Sequence, residues 1–85
     1  MASYSLLVKA SAAKELDAVP PRELQRIVKK IGTLATSPRP HGCEKLSGAE
    51  RFRLRQGDYR IIYEIDDTAR RIIIVKIGHR RDVHR

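Results

Sequence analysis

The run Lys45-Leu46-Ser47-Gly48-Ala49-Glu50-Arg51-Phe52-Arg53-Leu54-Arg55-Gln56-Gly57-Asp58-Tyr59-Arg60-Ile61-Ile62-Tyr63-Glu64 decides the fold of this chain. Basic and apolar residues alternate strictly from Arg51 to Arg55, which predicts a strand with its arginines on one face and Phe52 and Leu54 on the other. Residues 56–58 predict a tight turn, because glycine tolerates positive φ and aspartate can hydrogen-bond its own backbone. A second strand follows at once, so the run predicts an antiparallel strand pair.

A cationic patch is expected on one face of this strand pair. Facing side chains of two antiparallel strands lie within reach of each other, so Arg60 of the second strand is expected to join the arginines of the first. Guanidinium groups stay charged at physiological pH and match phosphate oxygens with paired hydrogen bonds. The patch therefore predicts a polyanionic ligand. The alternative is a solvent-facing strand kept polar to discourage pairing with other chains.

Length and charge set the class of protein. The 85 residues predict a single domain, 1–85, with one modest core. Lysine and arginine number 18 against 10 acidic residues, for a net charge of +8, which favours nucleic acid, an acidic protein partner or both. The lone cysteine, Cys43, excludes an internal disulfide, and neither a signal peptide nor a membrane span is predicted. We expect a cytoplasmic protein.

The first half of the chain predicts a strand and two helices. Residues 4–9 are rich in strand formers, and Ser11 is a suitable N-cap for a short helix over residues 11–19. Pro20 ends that helix, and Pro21 suits the first position of the next one. Apolar residues at helical spacing then continue to residue 35, before a Pro- and Gly-rich loop over residues 37–42.

The second half predicts three consecutive strands. After the arginine-rich strand come a strand over residues 59–66, a hairpin loop over residues 66–69 and a strand over residues 71–77. The last of these is apolar on both faces, which indicates a central position. The order β-α-α-β-β-β predicts an α+β domain, in which a helical hairpin packs on one face of a largely antiparallel four-stranded sheet. The arginine face would then stay open to solvent.

These motifs resemble a known family. The run from Lys45 to Asp66, the strand Ile72 to Ile77 and the ending Gly78-His79-Arg80-Arg81-Asp82-Val83 are similar to the RelE/ParE superfamily of toxins from type II toxin–antitoxin pairs, on its RelE side. The resemblance implies an mRNA interferase, with a fold like small microbial ribonucleases, that cuts messages in the ribosomal A site. It also implies cleavage without a metal or other cofactor, by attack of the ribose 2′-OH on the adjacent phosphate. The sequence likewise lacks a Cys/His set at ligand spacing.

The resemblance also assigns roles to individual residues. The catalytic basic cluster of the family corresponds to Arg51, Arg53, Arg60 and Arg80. An arginine does not release its proton in a protein, so none of these is a general base. His84 stands where the family usually has tyrosine, and histidine can transfer protons near neutral pH. Further RNA-binding candidates are Arg81, His79 and Lys45.

The expected partners follow from the same resemblance. They are the ribosome with its mRNA and a cognate antitoxin, RelB-like or of another type, that is acidic and binds DNA. Operator DNA would be contacted only through the toxin–antitoxin complex, and no membrane is involved. Two alternatives remain open at this point. One is a ParE-like toxin that inhibits DNA gyrase without cutting RNA, and the other is a catalytically inactive co-repressor.

Overall fold

The computed structural model of this chain describes residues 3–46 and 50–79. In chain order, the elements of these residues are β1 (Ser5–Val8), α1 (Ala10–Asp17), α2 (Pro21–Thr33), β2 (Glu44–Lys45), β3 (Arg51–Gln56), β4 (Tyr59–Asp66) and β5 (Arg71–His79). The strands form one 5-stranded sheet in the order β1-β5-β4-β3-β2. β1 runs parallel to β5, and the other neighbouring pairs are antiparallel. The predicted α+β class and largely antiparallel sheet are confirmed.

The sheet has one member that the sequence pattern does not predict. β2 contains 2 residues and pairs with β3, placing Glu44 opposite Arg53 and Lys45 opposite Phe52. Two residues are too few to show the alternation by which strands are identified in a sequence. The β-α-α-β-β-β order therefore gains a short strand before the arginine-rich one.

Both helices form where the sequence places them, with small shifts at their ends. α1 begins at Ala10, and its N-cap is Lys9, which makes no side-chain capping bond, so Ser11 lies inside the helix. α2 begins at Pro21 as predicted and ends at Thr33, two residues before the predicted end. Neither helix of the described residues is long and apolar enough to cross a membrane.

The core lies between the two helices and one face of the sheet. α1 contacts β5 and α2 contacts β3, so each helix covers a different part of that face. Each fully buried isoleucine or leucine contributes about 1.5–3 kcal/mol relative to an exposed side chain. The largest side chains that are fully buried are Tyr63, Ile27, Leu34, Ile61, Ile72, Ile74 and Ile77.

A two-residue turn fixes the register of β3 and β4. Gly57 and Asp58 form this turn, and Gly57 has a φ of +60°. A positive φ at the first turn residue is typical of a type II′ hairpin, which favours glycine there. A Cβ at Gly57 would lie 3.7 Å from Glu23 Oε1, an ordinary contact, so the backbone angle rather than space selects glycine. The resulting register places Arg55 directly opposite Arg60.

Candidate functional site

The arginines lie on the sheet face that the helices leave uncovered. Facing positions along β3 and β4 are Arg51 and Glu64, Arg53 and Ile62, and Arg55 and Arg60. Phe52 and Leu54 alternate with the arginines and belong to the core. Arg60 therefore shares a face with the arginines of β3, as the alternation predicts.

Arg53, Arg55 and Arg60, here called the arginine cluster, are neighbours on this face. Arg55 and Arg60 are directly opposite, which places their Cβ atoms about 4.5–5.5 Å apart, and the diagonal from Arg53 to Arg60 spans about 7–8 Å. The Nε atom of Arg60 is buried and has no hydrogen-bond partner among the described residues. Gly78 is the β5 neighbour of Arg60 and has no side chain to occupy the space beside it. The cluster thus concentrates positive charge on this face, and the covered Nε of Arg60 is a donor without a partner among the described residues.

Glu44 holds one member of the arginine cluster in place. Nε and Nη2 of Arg53 both donate to Glu44 Oε1, at 3.1 and 2.6 Å. The bond from Arg53 is the main cause that lowers the pKa of the Glu44 carboxyl, and the charges of Arg55 and Arg60 lower this pKa further. Sequence reasoning missed Glu44, because its place next to Arg53 depends on the pairing of the two-residue strand β2.

A cleft of about 420 Å³ opens beside the arginine cluster. It is lined by Gly42, Cys43, Glu44, Arg53 and Arg55, so it runs from the loop before β2 to the arginine face. Arg53 is largely covered, with 20% of its side chain exposed, whereas Arg55 lies in the open. Arg60 is not among the lining residues, so a polyanionic chain in this cleft would contact Arg53 and Arg55.

Two predicted site residues lie away from the arginine cluster. Arg51 Nε donates to Glu64 Oε2 at 2.7 Å, and Glu64 is four residues along β4 from Arg60, which is about 13 Å. Lys45 is opposite Phe52, so it lies on the other face of the sheet, where its Nζ is 3.0 Å from Glu50 Oε2. Both residues are thus ion-paired outside the cluster.

The remaining candidates come from the end of β5 and the residues after it. His79 pairs with Tyr59 across β4 and β5, with the two rings edge to face and their centroids 5.5 Å apart. The two residues line a separate pocket of about 250 Å³ with residues of α1, on the opposite face from Arg60. The predicted Arg80, Arg81 and His84 lie outside the described residues.

Potential metal ligands are not grouped in the part of the chain that the structure describes. Within residues 3–46 and 50–79, no three or more His, Cys, Asp or Glu side chains are grouped so that they could hold a metal ion. The functional groups of the candidate site are the guanidinium groups of the arginine cluster and the carboxylate of Glu44. Phosphate oxygens are the ligands that match such groups.

This chain is similar to known proteins in both sequence and fold. A family model described as the ParE toxin of type II toxin–antitoxin systems, parDE, matches residues 6–84. Toxin RelG of Mycobacterium tuberculosis is 33% identical over 86 residues, covering 96% of this chain and 97% of that protein. Among solved structures, the toxin–antitoxin complex RelBE2 of M. tuberculosis has a TM-score of 0.81 at 30% identity, covering 91% of this chain and 98% of that one.

An archaeal protein has a similar fold at lower sequence identity. The RelE–RelB complex from Pyrococcus horikoshii has a TM-score of 0.84 at 26% identity, covering 95% of this chain and 99% of that one. The family match extends over nearly the whole chain, and the relatives are covered almost completely. The chain therefore belongs to the RelE/ParE family of toxins from type II toxin–antitoxin systems.

Proposed function

We propose that this toxin is a ribosome-dependent endoribonuclease that cleaves mRNA in the ribosomal A site. In the proposed reaction the ribose 2′-oxygen attacks the adjacent phosphorus, and the bond from phosphorus to the 5′-oxygen breaks. The 2′-OH loses a proton, the 5′-oxygen gains one, and the transition state carries extra negative charge on the phosphate oxygens. Fixed cations beside that phosphate stabilise this charge without having to reorganise.

The arginine cluster is the observation that supports this proposal. Like charges directly opposite on a sheet repel each other, so Arg55 and Arg60 weaken the folded state unless an anion lies between them. The buried Nε of Arg60 adds a donor that lacks a partner among the described residues. A buried donor without a partner costs about 1–3 kcal/mol. A phosphodiester beside the cluster would offset the repulsion, and it would bond to the Arg60 Nε once the atoms that cover this nitrogen move aside.

Individual residues take distinct roles in the proposed reaction. Arg60 and Arg53 stabilise charge on the phosphate together with Arg80, while Glu44 keeps the Arg53 guanidinium oriented through its two hydrogen bonds. None of the arginines transfers a proton, so His84 is assigned that step.

The outer candidates contact RNA farther along the chain. His79 would bind RNA from the last position of β5 and Arg81 from the sequence that follows it, whereas Lys45 would reach RNA only past the β2 edge of the sheet. Arg51 would assist the cluster after exchanging its partner Glu64 for RNA. These contacts would position the message rather than act on the reacting phosphate.

A cognate antitoxin is the proposed regulator of this activity. Solved relatives include complexes of RelE with RelB from a bacterium and from archaea. We expect a RelB-like or other acidic, DNA-binding antitoxin to neutralise the toxin in the cytoplasm, and operator DNA to be bound through the complex.

Cleavage of translated messages tests the proposal. Replacing Arg60 with Ala should slow ribosome-dependent cleavage, followed by primer extension, by about 10²–10³-fold, the usual effect of removing one charge-stabilising donor. The matched control is Arg71→Ala, because Arg71 is exposed and faces Asp66, about 20 Å along β4 from Arg60. Undiminished cleavage by the folded Arg60→Ala variant would remove the assignment.

The pH dependence of cleavage tests the role of His84. If this histidine transfers the proton, His84→Gln should lower the rate and remove the rate change near neutral pH. A variant that keeps both the rate and the pH profile of the original protein would exclude His84 from proton transfer.

A second candidate function is inhibition of DNA gyrase. The matching model is named for ParE, which favours comparison with a toxin that inhibits DNA gyrase through binding. A supercoiling assay separates this function from RNA cleavage, because only a gyrase inhibitor blocks supercoiling in the absence of ribosomes. A catalytically inactive co-repressor would be harmless when expressed without its antitoxin.

A further inference from the structure

A second basic surface lies on helix α2, away from the arginine cluster. Its members are Arg22, Arg26, Lys29 and Lys30, which we call the α2 stripe. They follow each other at intervals of four, three and one residues, so they share one side of a helix with 3.6 residues per turn. The first three are exposed and Lys30 is half-buried. Each therefore holds its charge at or near the protein surface.

The α2 stripe has no ion pair among the described residues, unlike five other basic side chains. The ion pairs among the described residues involve the basic side chains of Arg39, Lys45, Arg51, Arg53 and Lys76. None of these belongs to α2. The acidic residue of α2, Glu23, has its Oε1 atom near the β3–β4 turn at Gly57. The positive charge of the stripe is thus not neutralised within the described part of the chain.

A shallow groove borders the stripe. It measures about 220 Å³ and is lined by Arg26, Lys29, Lys30, Thr33 and Gln56. All five are polar, and Gln56 comes from the end of β3. Cations and hydrogen-bonding side chains are therefore combined in one depression, which suits phosphate groups and sugars.

We propose that the α2 stripe binds the phosphate backbone of folded RNA, at a surface separate from the cleavage site. The backbone positions of Arg22, Arg26 and Lys30 are about 6 Å apart along the helix axis, because they are spaced by four residues and each residue adds about 1.5 Å. A nucleic-acid strand carries one charge per about 3.4 Å of its axis, so the stripe spans several successive phosphates. Binding of this kind depends on charge and carries no sequence preference.

The composition of the stripe favours RNA over an acidic protein. Protein interfaces have an apolar, often aromatic, centre. The exposed apolar residue of α2 is Val28, at 52% exposure, and it lies about 200° around the helix from Arg26. A protein partner would therefore find cations without an apolar anchor. The arginine cluster differs from the α2 stripe in that one of its members, Arg53, is already ion-paired with an acidic residue, Glu44.

Salt-dependent RNA binding tests the proposal. The probe is a fluorescently labelled hairpin of 2′-O-methyl RNA, which lacks the attacking hydroxyl, so the result does not depend on the proposed nuclease activity. The variant is Arg26→Gln with Lys29→Gln, and the control is Lys9→Gln with Lys14→Gln. Both doubles remove two exposed positive charges that have no ion pair within the described part of the chain, so their net charges are equal.

The two doubles should differ in the slope of log affinity against log salt. Each phosphate contact contributes about 0.7–0.9 to this slope, so the α2 double should lower it by about 1.4–1.8 and weaken binding severalfold at low salt. The control double should leave the slope nearly unchanged. Equal effects of both doubles, or no effect of either, would overturn the proposal.

Binding of the cognate antitoxin is measured with the same variants, because the α2 stripe could instead contact a protein. If the α2 double leaves the RNA slope unchanged and instead weakens binding of the cognate antitoxin, the stripe is a protein contact and the proposal fails. Circular dichroism and a thermal melt verify that both doubles are folded. In an Arg60→Ala background, which should lose cleavage, the α2 double should lower the RNA slope by the same amount as in the original toxin, which separates this proposal from the proposed function.

Discussion

Replacing Arg60 with Met should make the free toxin more stable while it destroys activity. Methionine keeps an unbranched stem of similar shape but removes the charge and the unpartnered Nε. A buried donor without a partner costs about 1–3 kcal/mol. Repulsion from the directly opposite Arg55 adds about 0.2–1 kcal/mol. We therefore expect a gain of about 1–4 kcal/mol, and each kcal/mol corresponds to about 4–8 °C in the melting temperature of a domain this size.

Thermal and urea denaturation of the toxin alone measure this effect. Arg22→Met is the control, because Arg22 is exposed and has no ion pair with any other described residue, and its effect should stay within about 0.5 kcal/mol. Raising the salt concentration should reduce only the repulsive part of the gain, since high salt screens exposed charges. Inorganic phosphate should raise the melting temperature of the original toxin more than that of the variant. A lower melting temperature for Arg60→Met would refute the view that Arg60 is held in an unfavourable site for an anion.

Three further predictions concern the scaffold. Gly57→Ala should destabilise the fold by about 1–2 kcal/mol in urea denaturation, because a φ of +60° disfavours any residue with a Cβ. Tyr63→Phe should cost about 0.5–1.5 kcal/mol, since the Tyr63 hydroxyl donates to the Pro38 carbonyl at 2.8 Å, and an unchanged midpoint would contradict this. Hydrogen bonding from Arg39, more than any other cause, lowers the pKa of Asp67. This stabilisation is present above the ordinary aspartate pKa and is lost as pH falls through the lowered value. Asp67→Asn should therefore reduce the free energy of unfolding near neutral pH and make it depend less on pH in the acidic range. If the free energies of unfolding of the variant and the original toxin fall equally steeply with decreasing pH, the prediction is refuted.

The elements of the fold could be read from the sequence because their signals are local. Strict alternation from Arg51 to Arg55 and the turn at Gly57 define the β3–β4 hairpin. Helical spacing after Pro21 defines α2 in the same way. Local signals were insufficient at two places. The two residues of β2 are too few to show strand alternation. The N-cap of α1 is Lys9, which makes no side-chain capping bond, so the residue type does not mark the start of the helix.

The candidate site was only partly accessible to sequence reasoning. Strand alternation and one tight turn were sufficient to place Arg60 on the face of Arg53. The ion pair of Arg53 with Glu44 was missed, because it requires a strand pairing that the sequence does not indicate. The position of Lys45 on the opposite face has the same cause.

Local periodicity and net composition were determined by the sequence itself: two helices, the three longer strands after them, an arginine-bearing strand face and an excess of positive charge. Only the tertiary structure decided which of those charges are neutralised. Glu15 meets Lys76, which is 61 residues away, and Glu44 meets Arg53 across β2 and β3, whereas the α2 stripe meets no acid among the described residues. The physical reason is that ion pairing depends on distances between side chains, and those distances are set by strand order and register rather than by sequence separation.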